Sequence, residues 1–202
     1  MLRLYDYGDS GNGYKVRLLL AQLGLDYALT EIDIMTGESR TSEFLAKNPN
    51  GRVPLIELDD GRLLAESNAI LCYFAEGTVY LPQDRYQRAL AMQWLFFEQY
   101  SHEPNIATTR FWLRHGPMSE ERKRQLPAKQ KLGRDALDVM ERHLAGRDYF
   151  VGEAYSIADI ALYAYTHLAG QGGFDLAAYP AVRAWLARIA SQPGHVTMAG
   201  AG

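Results

Sequence analysis

Three short stretches carry side chains whose types and spacing could do chemistry on one small ligand: Ser10-Gly11-Asn12, Arg52-Val53-Pro54 and Glu66-Ser67. The first lies within LYDYGDSGNGYKVRLLL, residues 4–20. Leu2 to Tyr7 reads as a short strand that runs into a turn cluster of Gly, Asp, Ser and Asn. Val16, Leu19, Leu20 and Leu23 then recur at i, i+3, i+4 and i+7, which predicts one apolar helix face stopping at Gly24. A loop that feeds a helix N-terminus attracts negative charge, because unpaired N–H groups and the positive end of the helix dipole face it. Three readings compete here. Ser10 or Asn12 caps the helix; the loop cradles a phosphate; or both side chains donate hydrogen bonds to a thiolate. The phosphate reading fails on spacing. Gly8 and Gly13 have the gap of a P-loop, but Tyr14 stands where Lys is required, Lys15 comes a place late and Val16 replaces the hydroxyl. No dinucleotide fingerprint G-x-G-x-x-G can be laid on these glycines. Capping and thiolate binding both stay open at this point.

The other two stretches are equally double-edged. Pro54 is either a trans proline entering a strand or a cis turn that presents the N–H and C=O of Val53 to an extended peptide. Ser67 either caps a helix and nothing more, or its hydroxyl and the helix N-terminus bind a carboxylate while Glu66 pairs with an ammonium group. Taken together the functional readings describe a thiol flanked by peptide bonds with an amino-acid head. Glutathione is such a molecule.

The elements that must position these residues fall into two kinds. Residues 27–34, YALTEIDI, predict a second strand, and Glu43 to Lys47 a short helical turn. Asn48-Pro49-Asn50-Gly51 is a turn, Val53 to Leu58 a strand, and Asp59-Asp60-Gly61 a hairpin turn into Leu63–Ala65. Ser67 opens a helix whose apolar face is Ala69, Ile70, Tyr73 and Phe74. This is an α/β unit with a mixed sheet: strands joined by a helix run parallel, and the hairpin runs antiparallel. After Gly77 the strands cease. Residues 87–115 read as one long helix or two, with Pro104 marking a kink or break. Ser119 opens a charged helix start, which Pro127 is expected to disturb. Ser156-Ile157-Ala158-Asp159 has the form of a capping box before an apolar, central helix. Pro180 starts the last helix, with Val182, Trp185, Leu186 and Ile189 on one face, and Pro193-Gly194 stop it. The division expected is residues 1–77, a connector at 78–86, and an all-helical part at 87–202.

Composition narrows the function classes. The chain has 202 residues, 48% hydrophobic and 22% charged, enough to bury a real core. A net charge of −3 and a pI near 6.0 offer no attraction to nucleic acid or anionic membranes. No apolar run approaches the roughly 18 residues that a membrane span needs. Asp6 interrupts the N-terminus before an apolar signal region forms. Cys72 is the single cysteine, and His102, His115, His143, His167 and His195 lack ligand spacing, so no metal is expected. A cytoplasmic setting is expected.

The stretches SGNGYKVRLLLAQLGLDY, FLAKNPNGRVPLIELDDGRLLAESNAI and YFVGEAYSIADIALYAY, in this order, resemble the cytosolic glutathione transferase family, in its bacterial, theta- and nu-like form. The resemblance covers nearly the whole chain. It implies a thioredoxin-like N-terminal domain, an all-α C-terminal domain, a homodimer, a role in detoxification, and glutathione as co-substrate with a small electrophilic or peroxide second substrate. Ser10 and Asn12 fall on the thiolate-stabilising positions, Val53-Pro54 on the cis-proline element and Glu66-Ser67 on the γ-glutamyl site. Arg52, or Arg40 more weakly, is placed to meet the glycyl carboxylate. The second substrate is expected against the aromatic-rich helix at Tyr100, Arg110, Phe111 and Trp112. Two departures matter. Gly13 stands where many bacterial relatives carry cysteine, so cysteine-based exchange at that loop is excluded. Cys72, in an apolar stretch, is expected to be buried and inert, and Tyr7 and Tyr14 to serve packing or to support the site residues from behind. The activity implied is transferase, peroxidase or disulfide reductase. The alternative is a non-catalytic glutathione-binding or dimerisation module of the same fold.

Overall fold

The computed structural model describes residues 1–198. Four strands form one sheet: β1 (Arg3–Asp6), β2 (Ala28–Glu31), β3 (Leu55–Glu57) and β4 (Leu63–Ala65), in the spatial order β2-β1-β3-β4. β1 pairs parallel with β2 and antiparallel with β3, and β3 pairs antiparallel with β4, giving the mixed sheet that the helix and hairpin connections require. Strand alternation then decides what each face buries. Leu4 and Ile56 point to one face, where they pack with Val16 and Leu20 of α1 (Gly11–Gln22) and Ile70 of α3 (Ser67–Ala75). Tyr5 and Leu55 point to the other, against Phe44 of α2 (Ser42–Lys47). Asp6, two residues after Leu4, shares the α1 face.

α1 ends as its sequence suggests. Gly24 takes φ +65, and the N–H groups of Gly24 and Leu25 bond back to the carbonyls of Ala21 and Leu20, the paired bonds of a Schellman stop. α3 buries Ser67, Ile70, Leu71 and Ala75. Its inward face is therefore rotated from the expected one, leaving Tyr73 47% exposed and Cys72 half-buried. The expectation of a buried Cys72 is corrected: position 72 lies beside the packed stripe and not on it.

The helical part comprises α4 (Arg85–Phe97), α5 (Glu103–Arg114), α6 (Glu120–Leu144), α7 (Ile157–Thr166) and α8 (Pro180–Ala190). Between α4 and α5 runs one π-helical stretch, Glu98–His102. Pro104 sits in the first turn of α5, directly after this stretch, so the expected break is a change of helical winding just before the proline. Pro127 does not disturb the start of α6. Ser119 caps it through the N–H of Arg122, and the helix runs 25 residues with the proline inside. All ten residues of α7 are buried.

The chain divides into two compact units. One contains Met1–Thr78 together with Pro193–Met198, and the other contains Val79–Gln192. The terminal segment had been expected to belong to the helical part. It returns to α1 instead: the Tyr14 hydroxyl donates to the carbonyl of Val196 at 2.8 Å and lies 3.2 Å from His195 Nε2. Gly194 (φ +70) lies so close to Gln22 that a Cβ there would sit 3.1 Å from its Cα.

Candidate active site

The loop between β1 and α1 is braced from both sides. Its Gly8 N–H donates to Glu31 Oε1 at 2.8 Å. Arg17, nearly two turns into α1, reaches back to donate to the Gly8 carbonyl at 2.9 Å, and its Nε lies 3.0 Å from Asp6 Oδ2. Asp6 is 1% exposed. Burial pushes its carboxyl up to about 7, outweighing the pull of Arg17 in the other direction. The Asp6 carboxylate occupies the space beside Gly13, where a Cβ would overlap it. Glycine at 13 is thus required by a buried acid on the strand behind it.

Ser10 is the N-cap of α1, its oxygen accepting from the Gly13 N–H at 3.2 Å. Capping and anion binding are compatible in one hydroxyl, since the cap uses an acceptor lone pair and the O–H proton is a separate donor. Asn12 stands in the first turn of α1. Its Oδ1 accepts from the Ser67 hydroxyl at 3.3 Å, which brings the loop between β1 and α1 and the N-terminus of α3 together. Ser67 is 5% exposed, and its oxygen lies 3.4 Å from the ammonium of Lys15, which is fully buried. The Ser67 hydroxyl is therefore turned inward; what α3 offers outward is its terminal backbone N–H groups. Glu66 is exposed and takes φ +70, ψ 112, the one non-glycine residue with positive φ among those described. Its Oε1 accepts from Asn50 Nδ2 at 3.4 Å.

The Val53-Pro54 bond is cis, resolving the choice left open by the sequence. The turn before it is organised by Asn48, 5% exposed, whose side chain bonds the Arg52 carbonyl at 2.8 Å and the Asn50 N–H at 3.1 Å. Arg40 donates to the Asn50 carbonyl at 2.9 Å and so braces this turn. Arg52 is exposed.

The structure scatters the four residues expected to meet a second substrate. Tyr100 is 89% exposed and lines a cavity of about 480 Å³ with Phe97, Pro104, Lys129 and Leu132. Arg110 is turned inward, 3% exposed, donating from Nε to Gln171 at 2.8 Å. Phe111 packs on the His115 ring, and Trp112 lies under the Arg122 guanidinium. Arg110, Phe111 and Trp112 are consecutive positions of α5 and so face different sides of it, which turns Arg110 inward. Among the described residues no group of three or more His, Cys, Asp or Glu is arranged to hold a metal. No described helix is long and apolar enough to cross a membrane.

Sequence reasoning missed Asp6, Lys15, Arg17 and Asn48. A signal existed for Asp6: it alternates with Leu4 onto the buried face. Lys15 gave none, because a lysine in a first helical turn ordinarily faces water.

A mixed-sheet thioredoxin-like unit, with a polar loop feeding α1 and a cis-proline turn before β3, followed by an all-helical unit, defines a two-part architecture. Two family models match: the N-terminal domain of glutathione S-transferases over residues 1–76 and the C-terminal domain over residues 104–193. A glutathione S-transferase from Pseudomonas fluorescens Pf-5 is similar in structure, with TM-score 0.96, 51% identity and 98% of each chain covered. A glutathione transferase from Burkholderia graminis, solved with two glutathione molecules per subunit, has TM-score 0.83 and 30% identity over 96% of this chain and 85% of its own. The disulfide-bond oxidoreductase YfcG of Escherichia coli K12 is 34% identical over 96% of this chain and 92% of its own. The chain belongs to the glutathione S-transferase family.

Proposed function

We propose that the N-terminal unit binds glutathione and activates its thiol with Ser10 and Asn12. The observation that carries this is the 3.3 Å contact between Asn12 and Ser67, which sets the thiol loop beside the N-terminus of α3. The γ-glutamyl carboxylate is received by the backbone N–H groups opening α3 and the ammonium by Glu66. The cysteinyl backbone pairs with Val53 ahead of Pro54. Arg52 meets the glycyl carboxylate, since Arg40 is already engaged with the turn carbonyl at Asn50. The sulfur then lies at the mouth of α1.

Neither Ser10 nor Asn12 ionises near neutral pH, so neither takes a proton. They donate to the anion, the thiol proton passes to solvent, and the helix N-terminus adds its field. The thiolate sulfur forms a bond to an electrophilic carbon while the leaving group departs with the bonding pair. On a disulfide the same sulfur attacks one sulfur and expels the other as thiolate, and a second glutathione resolves the mixed disulfide. The likeness to a disulfide-bond oxidoreductase over nearly the full length supports this second outlet. A cytoplasmic setting, where glutathione is the prevailing thiol, goes with this reading.

The test is retention on glutathione-agarose followed by turnover assays with a chlorodinitroaromatic, a hydroperoxide and a small disulfide. Retention with turnover of at least one is expected. Retention without turnover on any would favour a binding module, and no retention would remove the glutathione reading.

A further inference from the structure

The contact chain behind Asn12 has a direction. An ammonium can only donate, so Lys15 Nζ, 3.4 Å from Ser67, makes the Ser67 oxygen an acceptor. The serine has one proton, and its remaining short contact is Asn12 Oδ1 at 3.3 Å, an acceptor. The proton therefore goes to Asn12. A planar carboxamide held by its oxygen on one arm presents its N–H group on the other. All of this happens where solvent does not scramble it: Lys15 is fully buried and Ser67 5% exposed.

We propose that Lys15 is a positioning residue, which fixes the polarity of the chain Lys15 to Ser67 to Asn12 and so holds the Asn12 amide with its N–H toward the glutathione sulfur. Without a donor at 15, Ser67 can accept from Asn12 Nδ2 instead. The amide then turns over and directs a carbonyl oxygen at the thiolate, converting an attraction into a repulsion. A lysine that looks structural is in this way part of thiol activation without touching substrate. The same chain links the γ-glutamyl end of the site to the thiol end, because one serine opens α3 and orients Asn12.

The proposal rests on the reading that Asn12 activates the thiol, and the experiment separates the two. Thiolate absorbance of saturating bound glutathione is titrated against pH for wild type, Asn12→Ala, Lys15→Met, Lys15→Arg and Lys15→Met/Asn12→Ala, with folding verified by circular dichroism. The expected result is a bound-thiol pKa below that of free glutathione, raised by about one unit, a tenfold loss of thiolate at low pH, in both Asn12→Ala and Lys15→Met. Lys15→Arg should retain most of the wild-type displacement, and Lys15→Met should add nothing once Asn12 is gone. If Asn12→Ala moves the pKa and Lys15→Met does not, the relay is overturned and the thiol reading stands. If Lys15→Met moves it equally without Asn12, Lys15 acts by charge through space and the relay is again overturned. An undisplaced wild-type pKa removes the thiol reading and the relay with it. Should Lys15→Met not fold, Ser67→Ala interrupts the same chain with no charge removed, and the same results support or overturn the relay.

Discussion

Asp6 and Glu66 show how much single positions here depend on their surroundings. Glu66 is exposed beside Asn50 and held at positive φ, a conformation that costs a non-glycine residue energy and persists where neighbours enforce it. Under the proposed reading it faces the γ-glutamyl ammonium. Glu66→Gln should weaken glutathione binding roughly tenfold to a hundredfold, the scale of one charge-assisted hydrogen bond; an unchanged dissociation constant by calorimetry would take Glu66 out of the site. Asp6 bears on stability. Its folded value, about 7, lies above its ordinary 3.8, so the native state holds the proton more tightly than the unfolded chain. Stability from this group is full below pH 3.8, falls as pH rises through the interval to about 7, and is flat beyond it. Asp6→Asn should remove that fall in urea melts run from pH 4 to 7. The smaller decline from Asp159, held at about 6, has the same sign and should remain. An unaltered pH slope would show that Asp6 titrates as an ordinary carboxylate.

At the scale of elements, the capping box before α7 is the clearest match between sequence and structure. Asp159 does more than close the box. Its Oδ2 accepts from the Ser156 N–H and hydroxyl, and its Oδ1 from the Phe150 N–H at 3.0 Å and Trp185 Nε1 at 2.9 Å, tying α7 to α8 and to the preceding loop. A lost cap alone costs about 0.5–2 kcal/mol. Leaving the Phe150 and Trp185 donors buried and unpaired adds about 1–3 kcal/mol each, so Asp159→Ala should lose at least about 2.5 kcal/mol in chemical melts. Asp159→Asn, able to accept on one side only, should fall between. A melt matching wild type with collapsed catalysis would move Asp159 from stability to chemistry.

The strand and helix order, the Gly24 stop and the hairpin were legible because each rests on local periodicity or turn chemistry. What was not legible depends on contacts between distant residues. The buried face of α3 is chosen by α1 and the sheet, which rotated it away from Tyr73. The reason for Gly13 lies seven residues earlier, in Asp6. The π-helical stretch at 98–102 has no periodic signature. Lys15 is invisible without Ser67, which follows it by 52 residues in sequence.

For the whole molecule, the sheet-bearing unit and the helical unit each bury apolar side chains of their own, and the terminal segment belongs with the former. Each unit also leaves large apolar side chains in water: Leu63 and Tyr73 on the first, Phe96, Tyr100 and Leu132 on the second. A homodimer, which the family resemblance implies, is expected to cover some of these side chains. Analytical ultracentrifugation should return about twice the chain mass of 22.7 kDa; a single sedimenting species at one chain mass would contradict it. The central claim, that the loop from Ser10 to Gly13 turns a bound thiol into a nucleophile, is tested most directly by the ionisation of that thiol. Thiolate absorbance at the ultraviolet edge is followed against pH with glutathione bound to wild type, Ser10→Ala and Asn12→Ala. A free thiol ionises near pH 8.5, and two donors with a helix N-terminus should lower the bound value by about two units. Each variant should raise it again, with turnover falling about tenfold to a thousandfold. A wild-type value equal to that of free glutathione, or one that neither variant moves, would contradict the account and leave Ser10 as a helix cap alone.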